Sequence, residues 1–411
     1  MLDSLRSNPR VRGLAALYAG TFLSGAWAII IPTIPVLARE FGVSAGGAAQ
    51  IVTAFAVGKF VGTVIAGIVL DRMGTRIALV GGPMVASVAA LGAAWVPWFI
   101  AMLALALVMG AADSLWATAR EIAGIDLAQR HRRGRVISSL HGTYNIGTAM
   151  GPFLGGWLTD VFSFKAAFVA YAIATALSVF LGLAGPDFPG SPATKKVADP
   201  LGGWGLAALK RRVLGLGDLF KEIHPDLRAT YLALCLATLS SQSQRIIVQS
   251  MLPLYAGAYL QLSPTQIGML FTISGIIVIA MIIPAGFIMD RVGRKWCTVP
   301  STGIPALVFV LIPLTSSFMQ LAFLVAVAGL AQGLSLGSVA TSTYDVVPAH
   351  VRGRLQAVRR TVAELGSGLA PLFGGYLANT FNPGVPFLFY APLLAVSATL
   401  LGVVGKETLE R

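Results

Sequence analysis

The chain contains two copies of one motif, and the two copies keep a constant separation along most of its length. Residues 67–76 read Gly-Ile-Val-Leu-Asp-Arg-Met-Gly-Thr-Arg, and residues 286–295 read Gly-Phe-Ile-Met-Asp-Arg-Val-Gly-Arg-Lys. Asp290 minus Asp71 gives an offset of 219 positions. The same offset recurs in further pairs: Arg133 with Arg352, Arg135 with Arg354, Pro152 with Pro371, Tyr171 with Tyr390. The 411 residues therefore form an internal duplication.

The composition places both halves in a lipid bilayer. Hydrophobic residues make up 56% of the chain and charged residues only 11%, whereas soluble domains carry about 25% charged residues. A helix needs roughly 20 apolar residues to cross a membrane. Twelve such runs start near residues 13, 47, 77, 98, 136, 165, 228, 265, 297, 319, 355 and 384. The predicted fold is therefore an all-α polytopic membrane protein, with twelve transmembrane helices in two six-helix pseudo-symmetric bundles.

The net charge of +13 indicates membrane topology and not a nucleic-acid partner. The basic residues cluster in alternate loops: Arg10 and Arg12, Arg72 and Arg76, Arg130 to Arg135, Lys195 to Lys221, Arg291 to Lys295, and Arg352 with Arg354. Loops rich in Lys and Arg stay on the cytoplasmic side. We therefore expect both termini in the cytoplasm and the chain in a bacterial inner membrane.

The duplication predicts three regions. Residues 1–185 form an N-terminal six-helix bundle, residues 186–227 a cytoplasmic linker, and residues 228–411 a C-terminal six-helix bundle. Residues 201–223 interleave apolar and basic side chains, a pattern that fits either a helix on the inner membrane surface or an ordinary linker.

The repeated loop has a mechanical interpretation. In the first copy, Gly67 allows close approach of a neighbouring helix, and Gly74 permits a tight turn back into the membrane. Asp71 is placed to face the positive N-terminal end of an adjacent helix. Gly286, Gly293 and Asp290 repeat this arrangement in the second copy. A simple basic hairpin explains the arginines but not the repeated Asp and glycines.

This loop resembles the motif that the major facilitator superfamily of secondary transporters carries between its second and third helices. The resemblance extends over nearly the whole chain. It implies two bundles around a central cavity that opens alternately to each side of the membrane, with the loops latching the outward-open state. It further implies that Asp71 faces Arg354, that Asp290 faces Arg135, and that these loop arginines share the gate: Arg72, Arg76, Arg291.

Two further stretches resemble motifs of the proton-coupled antiporters in that superfamily. Residues 147–156 read Gly-Thr-Ala-Met-Gly-Pro-Phe-Leu-Gly-Gly, like the fifth-helix signature, which makes Gly151 and Pro152 gating candidates. Ordinary helix packing is the alternative. Residues 120–124 read Arg-Glu-Ile-Ala-Gly, similar to Arg-x-x-Gln-Gly, with Ala123 in place of the Gln.

Ionisable residues inside a membrane are costly and by default indicate function. Depth along the helices, at about 1.5 Å per residue, places Lys59 and Glu364 at similar levels and Asp113 and Arg245 near mid-membrane. The resemblance implies that helices two and eleven flank each other and that helices four and seven line the cavity. Two ion pairs are therefore expected, Lys59 with Glu364 across the bundles and Asp113 with Arg245. Static structural ion pairs are the alternative for both. A desolvated carboxylate takes up a proton readily, so Asp113 is the first candidate for the proton carrier, Glu364 the second and Glu121 the third.

Polar and aromatic residues in the apolar runs predict the substrate cavity: Arg120, Arg245, Gln242, Gln249, Trp27, Tyr144, Asn145. The sequence favours a monomeric secondary transporter that exports amphiphilic organic compounds against protons by alternating access. An importer or facilitator of an organic anion and a non-transporting membrane scaffold are the alternatives. The sequence predicts no enzymatic activity, no metal site and no cofactor. The chain lacks the Gly-x-x-x-x-Gly-Lys-Ser/Thr motif of ATP-driven proteins.

Overall fold

The computed structural model describes residues 9–128, 133–184, 219–348 and 350–407. In that part of the chain, twelve long helical segments follow one another without a strand. The all-helical fold predicted from the sequence is thus confirmed. The linker of 186–227 and its predicted surface helix lie largely outside the described residues, so the proposed domain boundaries stay a prediction.

The first half contains α1 to α6. Helix α1 joins Pro9–Ser24, the 3₁₀ segment Gly25–Thr33 and Ile34–Glu40; the others are α2 Ala45–Met73, α3 Thr75–Trp95, α4 Phe99–Leu127, α5 Arg133–Val161 and α6 Phe164–Ala184. The second half contains α7 to α12. They are α7 Pro225–Leu254, α8 Pro264–Arg291, α9 Lys295–Leu311, α10 Phe318–Ser335 continued by Ser338–Val346, α11 Arg352–Thr380 and α12 Val385–Val403.

Nine of these segments are long and apolar enough to cross a membrane by length and hydropathy within the described residues. The three that fall short are α5, α7 and α11. Helices α5 and α7 carry residues that the sequence assigns to the cavity, and α11 carries Glu364, a candidate proton carrier. Water or polar ligands, rather than lipid, must solvate those faces, because lipid offers no hydrogen-bond partners.

The outer surface suits a bilayer. Its most exposed large side chains are apolar or amphipathic, for example Ile100, Trp98, Phe180, Ile283 and Val403. Soluble monomers do not expose apolar surface on this scale. The chain is therefore an integral membrane protein.

The two halves pack by the same rule. A glycine in α4, Gly110, brings α4 against the backbone of Phe55 in α2, and Gly329 in α10 lies in the same way against Ser274 in α8. Both pairs obey the offset of 219, since 329 minus 110 and 274 minus 55 give that number. The duplicated sequence therefore encodes duplicated helix contacts.

The repeated loops turn as the sequence predicts. Gly74 between α2 and α3 has a φ of 86°, and Gly293 between α8 and α9 has a φ of 148°. These backbone angles favour glycine because it has no Cβ. Chain connectivity places both loops, the start of α1 and the end of α12 at one end of the bundles. We call this the Asp71 end, and the opposite end, where α5 stops after Asp160, the Asp160 end.

Candidate functional site

A cavity of about 480 Å³ lies between the two bundles. Its walls come from α1, α2, α4 and α5 on one side and from α7, α8, α9, α10 and α11 on the other. Six of the seven predicted cavity residues line it, all but Arg120: Trp27, Tyr144, Asn145, Gln242, Arg245 and Gln249. Lys59, Pro152 and Glu364, which were predicted for gating or proton coupling, line it as well. The structure therefore brings together side chains that lie hundreds of positions apart in the sequence.

An ion pair stands at mid-height in the wall of the cavity. The Nζ atom of Lys59 lies 2.8 Å from Oδ2 of Asp113. The Asp113 side chain is 5% exposed, whereas that of Lys59 is 40% exposed and reaches the cavity. Close packing of α2 on α4 makes this pair possible, because Gly58 and Gly62 of α2 lie directly against the backbone of α4.

This pair corrects both pairings predicted from the sequence. Lys59 binds Asp113 within its own bundle and not Glu364, and Asp113 does not bind Arg245. Depth along a helix could not give the direction in which each side chain faces. Glu364 does line the cavity and lies within electrostatic range of Lys59.

Aromatic rings surround the ion pair. The indole Nε1 of Trp27 donates to the Tyr144 hydroxyl at 2.9 Å. The Trp27 ring stacks on Phe55 with centroids 4.9 Å apart, and Lys59 lies 5.8 Å from the centroid of Phe55. The 3₁₀ turn of α1, which contains Trp27, is thus fixed to α2 and α5. Phe55 was not among the predicted cavity residues.

Arg120 lies behind this wall and is not part of it. It is 3% exposed, and its guanidinium lies 5.2 Å from the Trp116 ring and 5.4 Å from the Tyr144 ring. Its Nε and Nη1 atoms are buried without a hydrogen-bond partner among the described residues. Arg120 therefore places a guanidinium beneath Tyr144 that no direct ion pair holds among the described residues, although Asp113 and Glu121 lie within electrostatic range of it.

Glu121, the third candidate for the proton carrier, does not lie at the cavity. Its side chain is 49% exposed and faces His141 at 3.7 Å, and it does not line the cavity. The sequence counted it as a buried acid, which is wrong. It follows Arg120 by one position, and adjacent helix residues face different directions.

The Asp160 end is closed by two symmetry-related hydrogen bonds between the bundles. Asp160 in α5 accepts from the backbone amide of Thr265, at the start of α8, at 2.8 Å, and from the Thr265 hydroxyl. Asn379 in α11 accepts from the backbone amide of Gly46, at the start of α2, at 2.7 Å. Each is a helix N-terminus capped by a side chain of the other bundle. We call these two contacts the end caps.

Glycines bring the bundles together beside the end caps. A Cβ on Gly156 of α5 would collide with the backbone of Pro264, and one on Gly268 of α8 with the backbone of Pro152. Gly375 of α11 lies directly against Gly46 of α2. Pro152 therefore lies at the contact between bundles, as a gating residue would, whereas Gly151 packs on Ala28 inside its own bundle.

The Asp71 end has a different arrangement. No atom lies within 4 Å of the place where a Cβ would stand on Gly67 or Gly286, so the close helix contact expected at these glycines is absent here. Asp71 is exposed and forms no ion pair with any residue that the structure describes, which is contrary to the expected Arg354 contact. The bundles are separated at these positions.

The second copy of the loop is held within its own bundle. Arg294 contacts Asp290 at 3.0 Å and Asp345 at 3.1 Å. Burial opposes its charge, but these bonds outweigh burial and raise the pKa of Arg294. The side chain of Arg135, expected opposite Asp290, lies outside the described residues. The first copy carries Thr75 where the second has Arg294, so Asp71 lacks this internal partner.

The end caps yield a first prediction. We expect Asp160→Ala and Asn379→Ala each to lower the population closed at the Asp160 end by about tenfold, because loss of a helix cap costs about 1 kcal/mol or more. A single cysteine placed at Ala49, which is buried in one cluster with residues of the second bundle in this closed state, and labelled by a membrane-impermeant maleimide would report it, since both native cysteines are buried. Asp126→Ala, at the opposite end of the bundle, is the control. Unchanged labelling in both variants would contradict the role of the caps.

Comparison with known proteins agrees with this architecture. The sequence model of the Major Facilitator Superfamily matches residues 16–241 and 234–409. The chain therefore belongs to the Major Facilitator Superfamily and is a membrane transporter, not an enzyme.

Curated relatives align over nearly their full length. The chain is 24% identical to the multi-drug resistance efflux pump PmrA of Streptococcus pneumoniae, covering 94% of both chains. It is 22% identical to the multidrug resistance protein MdtG of Proteus mirabilis, covering 95% of this chain and 94% of that one. Among solved structures, the inward-open xylose transporter XylE from E. coli is similar, with a TM-score of 0.72, 15% identity and coverage of 98% and 97%.

Proposed function

We propose that this transporter exports amphiphilic organic compounds in exchange for protons, and that Asp113 carries the proton. The observation that supports the proposal most is the Lys59–Asp113 ion pair at mid-membrane beside the cavity. A charged pair in this position is expensive to keep. Efflux is supported by the two similar proteins whose names describe drug resistance.

The orientation is part of the proposal. The repeated basic loops lie at the Asp71 end, and the positive-inside rule assigns that end to the cytoplasm. Closure at the Asp160 end then corresponds to an inward-facing state, in which a cytoplasmic compound enters the cavity. The loop latches, expected to close in the outward-facing state, are correspondingly disengaged at Asp71, Gly67 and Gly286.

Proton uptake would change the bonds of Lys59. A proton on Asp113 removes the negative charge that holds the Lys59 ammonium, and the ammonium is then free to turn toward the cavity. The other carboxylate that senses its charge there belongs to Glu364 of the opposite bundle. Protonation would thus exchange a contact within one bundle for an attraction between the bundles, which biases their relative position.

The proposal is tested with the purified monomeric protein in proteoliposomes, where a pH-sensitive dye inside the vesicles measures proton movement. We expect amphiphilic compounds, applied as a panel of cations, anions and zwitterions, to trigger proton movement opposite to their own. Transport without proton movement would favour the organic-anion facilitator. A complete lack of transport with every compound would favour the scaffold.

A further inference from the structure

One cationic side chain in the cavity wall has no ion-pair partner among the described residues. Arg245 lies in the middle of α7, is exposed to the cavity, and has no carboxylate within ion-pair distance among the described residues. Lys59 is paired with Asp113, and Arg120 lies beneath Tyr144. No carboxylate among the described residues offsets the charge of Arg245, so the potential around this guanidinium is positive.

The neighbours of Arg245 are hydrogen-bonding groups without protein partners. Ser241, Gln242 and Gln249 lie one turn away from Arg245 on the same face of α7 and line the cavity with it. The Ser241 hydroxyl is buried and has no hydrogen-bond partner among the described residues. A buried polar group without a partner costs free energy that a ligand can recover.

Apolar side chains from both bundles line the rest of the cavity. Trp27, Phe55, Phe271 and Phe309 line the same cavity. A guanidinium is suited to bind carboxylates and related oxyanions, because its N–H groups match two oxygens at once. The cavity thus offers one anion-binding strip next to an aromatic surface.

We propose that the compounds carried by this protein are organic anions with an aromatic or aliphatic body, whose carboxylate-like head group binds Arg245 and the Ser241 hydroxyl. This inference rests on the proposed function only in that the cavity is the substrate site. It gives the substrate a negative charge, which the names of the similar drug-resistance proteins do not specify. Glu364 lies within electrostatic range of Lys59 but exerts no such effect on Arg245, so the negative head group is expected on the Arg245 side.

The test is calorimetric binding to the full-length protein in lipid nanodiscs, with three probes that share one body. The probes are 4-phenylbutyrate, 4-phenylbutanamide and 4-phenylbutylamine, which differ only in a negative, neutral or positive head group. We expect the carboxylate to bind about ten- to hundredfold more tightly than the other two, as one charged hydrogen bond in a buried site would give. Empty nanodiscs correct for partition into lipid.

Variants assign the preference to its residue. Arg245→Gln should remove the advantage of the carboxylate and leave the amide unchanged, while Arg245→Lys should keep part of it. Arg39→Gln, an identical exchange at an exposed position outside the cavity, should change nothing. Equal affinities, tighter binding of the amine, binding of none of the probes, or an unchanged preference in Arg245→Gln would overturn the proposal.

The binding experiment uses no pH gradient, so it is independent of the proposed exchange. Carboxylate preference without proton movement in proteoliposomes would reject proton coupling and keep the anion site. Proton-coupled export without carboxylate preference would reject the anion site alone.

Discussion

Replacement of Asp113 by Asn should abolish proton-coupled transport and also destabilise the protein. The amide cannot take up a proton or neutralise Lys59, so an ammonium is left unpaired in the wall of the cavity. Breaking a fully buried pair costs about 3–5 kcal/mol. Because Lys59 is 40% exposed to the cavity, we expect about 1–3 kcal/mol, measured as the free energy of unfolding in detergent.

The double variant separates stability from coupling. Lys59→Gln together with Asp113→Asn removes both charges, so it should recover most of the stability lost in Asp113→Asn. It should not recover proton movement, since no carboxylate remains at this site. Additive losses of stability in the two single variants would contradict a direct pair. Persisting proton coupling in Asp113→Asn would transfer the role to Glu364.

The second large effect is expected at the contact between the bundles. Gly156→Val and Gly268→Val each place a side chain against the backbone of the other bundle, and backbone cannot move aside as a flexible side chain can. Forced overpacking costs about 1–3 kcal/mol or more. The closed population at the Asp160 end, and with it transport, should fall by about tenfold or more.

A matched control separates this effect from a general loss of stability. Gly81 lies in α3 and has no atom within 4 Å of its missing Cβ, so Gly81→Val should retain transport. Cysteine accessibility at Ala49 measures closure, and transport of the same compound measures function. If the Gly156→Val and Gly268→Val variants matched the Gly81→Val variant in both closure and transport, the assigned interface would be wrong.

The fold could be predicted because the physics of the membrane leaves few choices. Apolar runs give the helices, and the offset between Asp71 and Asp290 gives the two halves. Polar residues such as Asn145 of α5 and Gln242 and Gln249 of α7 identified the cavity, because lipid cannot solvate them. Each of these inferences uses only the positions of residues along the chain.

The ion-pair partners could not be predicted in the same way. Lys59 and Asp113 each lie 14 residues after the first residue of their helix, since 59 minus 45 and 113 minus 99 give that number. Equal depth alone does not select a partner. The choice was made by Gly58, Gly62 and Gly110, which bring α2 and α4 together, and a glycine in a sequence does not name the helix that it will contact.

The end caps were missed although the sequence carries a signal for them. Asp160 and Asn379 are related by the offset of 219, and so are their donors Gly46 and Thr265. Two polar residues at matching ends of α5 and α11, each repeated in register, could have indicated a contact between bundles. The approach of the helix N-termini, which turns this pattern into hydrogen bonds, depends on the packing of both bundles.

Distance measurements across both ends of the molecule test directly whether protonation of Asp113 moves the two bundles. Spin labels at Met73 and Val292 report the Asp71 end, and labels at Phe162 and Gln261 report the Asp160 end. On a change from alkaline to acidic buffer, we predict that one distance increases while the other decreases, and that Asp113→Asn removes this response. Distances that do not change with pH, or that change equally in Asp113→Asn, would contradict the claim that protonation of Asp113 moves the two bundles.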